Sequence, residues 1–133
     1  MASSLRILVA DDNEKIRNGI CSALEARSGW IVCGRAVDGM DAVEKAVDLN
    51  PDVVLVDVSM PGLNGFEAAG CIHQQIPNAE ILIVTEHDSR TLEHLPPQPG
   101  VRGYVVKSRL EHDLIPAVEA ASKHQAVSNS AVA

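Results

Sequence analysis

Asp52-Val-Val-Leu-Val-Asp-Val58 sets four successive apolar residues, three of them valine, between two carboxylates. A strand with one wet face alternates apolar with polar residues. An unbroken β-branched run is buried on both faces, as the inner strands of a parallel sheet are. The far end of this run, Asp57, is then a carboxylate carried from the interior to the rim. Four more short apolar runs flank it: Leu5–Ala10, Trp30–Ala36, Glu80–Thr85 and Arg102–Lys107. Between the runs lie segments with helical spacing. Ile16, Ile20 and Leu24 form one stripe; Ala42, Val43, Ala46, Val47 and Leu49 form a second. Strands alternating with helices predict an α/β fold, a doubly wound five-stranded parallel sheet with helices on both faces and right-handed crossovers.

Local start signals agree. Asp38 precedes the second helical segment, and Asn64-Gly-Phe-Glu67 has the form of a capping box for the third. Ser108-Arg-Leu-Glu111 is expected to do the same for the last helix. Pro116 then falls inside that helix, so either the helix starts nearer Asp113, with Pro116 in its first turn, or it is kinked. A short helix is expected over Ser89–Leu95, ended by Pro96, Pro97 and Pro99. The segment from Gln125 lacks periodicity and is expected to fray. The reading is one domain over residues 1–124 and a disordered tail over 125–133.

Composition narrows the function. In 133 residues, 46% are hydrophobic but only 2% aromatic, so Val, Ile, Leu and Ala must build the core. The net charge of −7 and the absence of a basic run argue against binding nucleic acid or an anionic membrane. No apolar stretch approaches the ~20 residues that span a bilayer, and Met1-Ala-Ser-Ser lacks the layout of a signal peptide, so a cytoplasmic location is expected. Cys21, Cys33 and Cys71 read as small core fillers. None of the five histidines has a metal-ligand partner at a convincing spacing.

In a doubly wound sheet, chemistry sits beyond the carboxyl ends of the strands. The first strand delivers Asp11 and Asp12, the third Asp57, the fourth Thr85 and the fifth Lys107. Three carboxylates at close quarters repel by about 4 kcal/mol per pair at ~4 Å and an effective dielectric near 20. Lys107 supplies one compensating charge, and a hard divalent cation such as Mg²⁺ suits the rest. The set is arranged for phosphoryl chemistry. Asp57 would be the nucleophile, Lys107 would bind the transferring group and Thr85 would donate a hydrogen bond to it.

Asp11-Asp12, Asp57-Val-Ser-Met-Pro-Gly-Leu-Asn-Gly65, Thr85 and Gly103-Tyr-Val-Val-Lys107 together resemble a response-regulator receiver domain, of CheY-like fold. Gly103-Tyr-Val-Val-Lys-Ser108 is similar to receivers of the NarL/FixJ type, and the resemblance runs from about Leu5 to Lys123. It implies a flavodoxin-like strand order 2-1-3-4-5 and phosphorylation of Asp57 by a histidine kinase or phosphotransfer protein. It also implies Mg²⁺ held by Asp12, Asp57 and the backbone carbonyl of Ser59, with Asp11 reaching it through water. Thr85 and Tyr104 would be the switch pair. Such a chain is a signalling domain rather than an enzyme, assisting its own phosphorylation and dephosphorylation. A homodimer through the face of the fourth helix, fifth strand and fifth helix is a further expectation. Transcription control would act through a DNA-binding output domain outside these residues.

Departures and rivals stand beside this. Glu86 follows Thr85, and a carboxylate there is expected to slow phosphorylation or restrict small phosphodonors. The prolines after Leu95 break the fourth helix, a normal part of the output face. Taken singly, Asp11 and Asp12 could cap the first helix, Lys107 could be a solvated strand end and Tyr104 a packing residue. A haloacid-dehalogenase-type phosphatase would want a second acid where Ser59 stands, and no glycine-rich loop follows the first strand for a dinucleotide. The remaining alternative is a pseudo-receiver, an interaction module that works without phosphorylation.

Overall fold

The computed structural model describes residues 4–86 and 98–124. Among them, five parallel strands form one sheet: β1 (Leu5–Ala10), β2 (Trp30–Ala36), β3 (Val53–Asp57), β4 (Glu80–Thr85) and β5 (Val101–Val106). Their order is β2-β1-β3-β4-β5, as the resemblance implied. The described helices are α1 (Glu14–Glu25), α2 (Gly39–Leu49), α3 (Gly65–Gln75) and α4 (Leu110–Ser122).

Alternation along the strands sorts the core into two layers. Ile7, Val9, Val53, Leu55, Leu82, Val84 and Val105 meet Ile20, Cys21 and Leu24 of α1 and Leu114, Ala117, Val118 and Ala121 of α4. The intervening residues Leu8, Ala10, Val54, Val56, Ile81 and Ile83 meet Ala42 and Ala46 of α2 and Ala68, Ala69 and Ile72 of α3. Every residue of β3 and β4 is buried, which is why their sequences show no polar face. Each such apolar side chain contributes about 1.5–3 kcal/mol by leaving water.

Two caps form where the sequence places them. The Asp38 side chain accepts from Asp41 N–H, and Asn64 with Glu67 makes a complete capping box. Helix α1 is capped by Asn13, whose Oδ1 accepts from Ile16 N–H at 3.0 Å. The two aspartates before it are thus not its cap.

Several expectations are corrected. The chain turns directly from β5 into a 3-10 turn, Lys107–Arg109, and α4 begins at Leu110 without a side-chain cap. The Ser108–Glu111 capping box does not form, because Ser108 is taken into that turn. Nor does the last helix start near Asp113: Pro116 lies in its interior, on the exposed side, where water can replace the missing N–H donor. β3 is shorter at both ends than the run Asp52–Val58, and β5 is shifted one residue back. Val47 faces solvent, 46% exposed, so the second stripe is narrower than its spacing suggested. Only Cys21 is fully buried; Cys33 and Cys71 are half-buried. Trp30, on the edge strand β2, is half-buried under Arg27, whose guanidinium carbon lies 4.9 Å from the ring centroid. The expected helix at Ser89–Leu95 and the tail from Gln125 lie outside the described residues.

Candidate functional site

The register of the sheet brings the strand ends level. Ala10 pairs with Val56, so Asp11 stands beside Asp57. Asp57 pairs with Val84, so Thr85 is one residue further out on β4. Thr85 pairs with Val106, which places Lys107 one residue beyond it on the far side.

The side chains converge accordingly. Asp11, Asp12 and Asp57 each offer a carboxylate oxygen within 4.8 Å of the others. Lys107 Nζ lies 3.1 Å from Asp57 Oδ1 and 3.4 Å from Asp11 Oδ2. Ser59 N–H donates weakly to Asp57 Oδ1 at 3.4 Å. Asp11, Asp57 and Thr85 are buried, whereas Asp12 and Ser59 are exposed. Tyr104 is half-buried on the α2–α3 side of the sheet, paired in register with Ile83. Glu86 is exposed immediately after β4.

The electrostatics follow from this crowding. Burial raises the Asp57 carboxyl, and Asp11 beside it adds to the effect. The Lys107 ammonium and the Ser59 N–H oppose them without cancelling, and the result is about 6. Burial alone would lower the Lys107 ammonium, but Asp57 and Asp11 outweigh it and raise it, so Lys107 stays a cation. Three carboxylates facing one ammonium leave negative charge in excess. Asp11 Oδ2, although buried, accepts no hydrogen bond. A buried oxygen with no hydrogen bond, facing only the Lys107 ammonium at 3.4 Å among hard oxygen donors, fits a divalent cation such as Mg²⁺.

Two neighbours support the site without having been singled out from sequence, and a third, Gly65, was read there only as part of a motif and a helix start. Asn13 N–H donates to Asp11 Oδ1 at 2.8 Å, and Arg17 Nη1 donates to the Asp11 carbonyl at 2.8 Å. Gly65 lets α3 start against β3: a Cβ there would sit 2.4 Å from the Asp57 carbonyl oxygen. The Asn-Gly pair signalled a helix start, but not this close approach.

Comparison with known proteins agrees with the geometry. A family model described as the response regulator receiver domain matches residues 7–119. The uncharacterized transcriptional regulatory protein YxjL of Bacillus subtilis is 36% identical over 92% of this chain and 56% of its own length. The transcriptional regulatory protein LiaR of the same organism is 33% identical over 97% of this chain and 61% of its own. The chain thus spans little more than half of these relatives. Among solved structures, a two-component response regulator of the LuxR family from Aurantimonas has a TM-score of 0.86 at 31% identity, covering 98% of this chain and 93% of that one. The receiver domain of the putative response regulator NarL from Mycobacterium tuberculosis has a TM-score of 0.82 at 27% identity, over 93% and 100%.

Proposed function

The chain belongs to the response regulator receiver domain family, and from that membership we propose that Asp57 is its phosphoacceptor, charged by a histidine kinase or a phosphotransfer protein. Receiver domains are two-component signalling modules that work with histidine kinases and use Mg²⁺ at an acidic pocket. What supports the finer reading is one observation: three carboxylates within 4.8 Å of one another, with the Lys107 ammonium 3.1 Å from Asp57.

Asp11, Asp12, Asp57 and the backbone carbonyl of Ser59 would hold Mg²⁺. When bound, the ion supplies charge neutralisation for the phosphoryl oxygens. Lys107 and the Ser59 N–H both address Asp57 Oδ1, so Oδ2 is the nucleophile. It attacks phosphorus in line, the P–N bond to the donor imidazole breaks, and the electron pair returns to nitrogen. A mixed carboxylic–phosphoric anhydride forms on Asp57. Lys107 steadies a phosphoryl oxygen, and Thr85 donates to another. Thr85 and Tyr104 are proposed to relay the new charge as a two-state switch.

Residues 1–124 are assigned to this receiver, acting as a signalling domain rather than an enzyme. The named relatives are transcriptional regulators, and we assign any DNA-binding output to a part outside these 133 residues. Among the described residues, no helix is long and apolar enough to cross a membrane. Glu86, exposed beside Thr85, favours a second reading, docking without phosphorylation.

Mass spectrometry after treatment with acetyl phosphate or a kinase, with and without Mg²⁺, separates the two. The expected result is one added phosphoryl group, dependent on Mg²⁺ and absent from Asp57→Asn. Label persisting on that variant means the acceptor lies elsewhere; no label on the parent under any donor leaves the docking reading.

A further inference from the structure

We propose that Arg17 is a positioning residue for the acidic rim: by gripping the Asp11 carbonyl it fixes the peptide plane that carries Asp12, and so sets how tightly the rim holds a divalent cation. The proposal rests on reading Asp11, Asp12 and Asp57 as the Mg²⁺ site.

The need for such a device is visible at Asp12. Its carboxylate stands among those of Asp11 and Asp57, all within 4.8 Å. It is exposed, and among the described residues no hydrogen bond or ion pair holds it. A side chain repelled by two neighbours and held by none stays in place because its backbone aims it there. Asp11, by contrast, is hydrogen-bonded through its N–H, its carbonyl and Oδ1, and only Oδ2 lacks a hydrogen bond. Its N–H donates to Ala36 O at 3.1 Å, and its Oδ1 accepts from Asn13 N–H. Its Oδ2 faces Lys107, and its carbonyl accepts from Arg17 Nη1 at 2.8 Å.

That carbonyl and the Asp12 N–H belong to one planar peptide unit. Rotating the plane re-aims the Asp12 Cα–Cβ bond, and the Arg17 guanidinium opposes the rotation. Arg17 is half-buried on the first turns of α1, and it forms no salt bridge among the described residues. The one described hydrogen bond of its side chain goes to this carbonyl. A permanently charged, planar donor suits the task better than a flexible ammonium. The role resembles that of outer-shell groups around metals, which orient ligands they never join.

Calorimetric titration of the whole chain with MgCl₂ at fixed ionic strength tests this, with melting in EDTA as the structural control. Arg17→Ala should weaken Mg²⁺ binding about tenfold, the low end for outer-shell substitutions, while Arg17→Lys recovers only part of it. In the metal-free Arg17→Ala protein, the Asp12 amide resonance should shift more than those of β3 and β4. If the parent binds Mg²⁺, Asp12→Asn loses it and Arg17→Ala binds as tightly as the parent, the positioning role is overturned while the metal site stands. If the parent does not bind Mg²⁺, or Asp12→Asn binds it unchanged, the metal reading fails and takes the proposal with it. Should Arg17→Ala not fold, Arg17→Gln decides: weaker binding supports the role, and equal binding overturns it.

Discussion

Asp57 carries its charge where charge is disfavoured: it is 2% exposed and has Asp11 for a neighbour. Its folded carboxyl titrates near 6, above the ordinary 3.8. A raised carboxyl binds protons more readily folded than unfolded, so stability is greater at low pH and declines as pH rises between those two values. At neutral pH the penalty is complete, with an upper bound of about 3 kcal/mol at ~1.4 per pH unit. Asn keeps the shape without the charge, and leaves Lys107 one partner fewer. We therefore expect Asp57→Asn to stabilise the metal-free protein at pH 7.5 by about 1–2 kcal/mol, raising the melting midpoint in EDTA by several degrees. A lowered midpoint would show that the Lys107 pair outweighs the burial and repulsion. The position of Asp57 at the rim was legible because an acid ending an apolar run is conspicuous. Arg17 was not, because its partner is a backbone carbonyl, which no side-chain pattern encodes.

Elements fasten to one another at the opposite end of the sheet through Glu80, the first residue of β4. The residue is 7% exposed; its carboxylate accepts from Arg102 of β5 and lies 2.6 Å from His124 Nδ1, just past α4. Burial alone would raise this carboxyl, yet Arg102 and His124 outweigh it and lower it. The sign is opposite to that at Asp57: the contribution is present above the unfolded glutamate value and is lost as pH falls through the lowered one. Removing Arg102 leaves a buried carboxylate short of a partner. Arg102→Ala is expected to lower the urea midpoint at pH 7 and to do so progressively less as pH falls through the lowered Glu80 carboxyl; a loss that stays constant until the protein unfolds in acid would remove the ion pair as the cause. The caps at Asp38 and Asn64 were legible, since a cap lies within three residues of its partner. The Glu80 cluster spans 22 and 44 residues of sequence, and nothing local announces it. The misread start of α4 has a similar origin: the chain must turn tightly after Lys107, and that tertiary demand outweighs a local capping signal.

At the scale of the molecule, the central strands are the common wall of both layers. Leu55 is 1% exposed within the layer of α1 and α4, so Leu55→Ala should cost about 2–5 kcal/mol. Because β3 also carries Asp57, Mg²⁺ binding should survive in whatever fraction stays folded; calorimetry beside thermal melts checks this, and loss of binding in fully folded protein would contradict it. The amino-acid sequence by itself determined that there are five strands, that the run carrying Asp57 is buried on both faces, and that Asp11, Asp57, Thr85 and Lys107 stand at or just past strand ends. Those follow from period and polarity, which are properties of neighbouring residues. The tertiary structure alone decided that Asp12 and Asp57 come within 4.8 Å while Arg17 reaches back to the Asp11 carbonyl. Distances of that kind depend on strand register, on crossover geometry and on how side chains settle against one another, and residues far apart in the chain decide all three together.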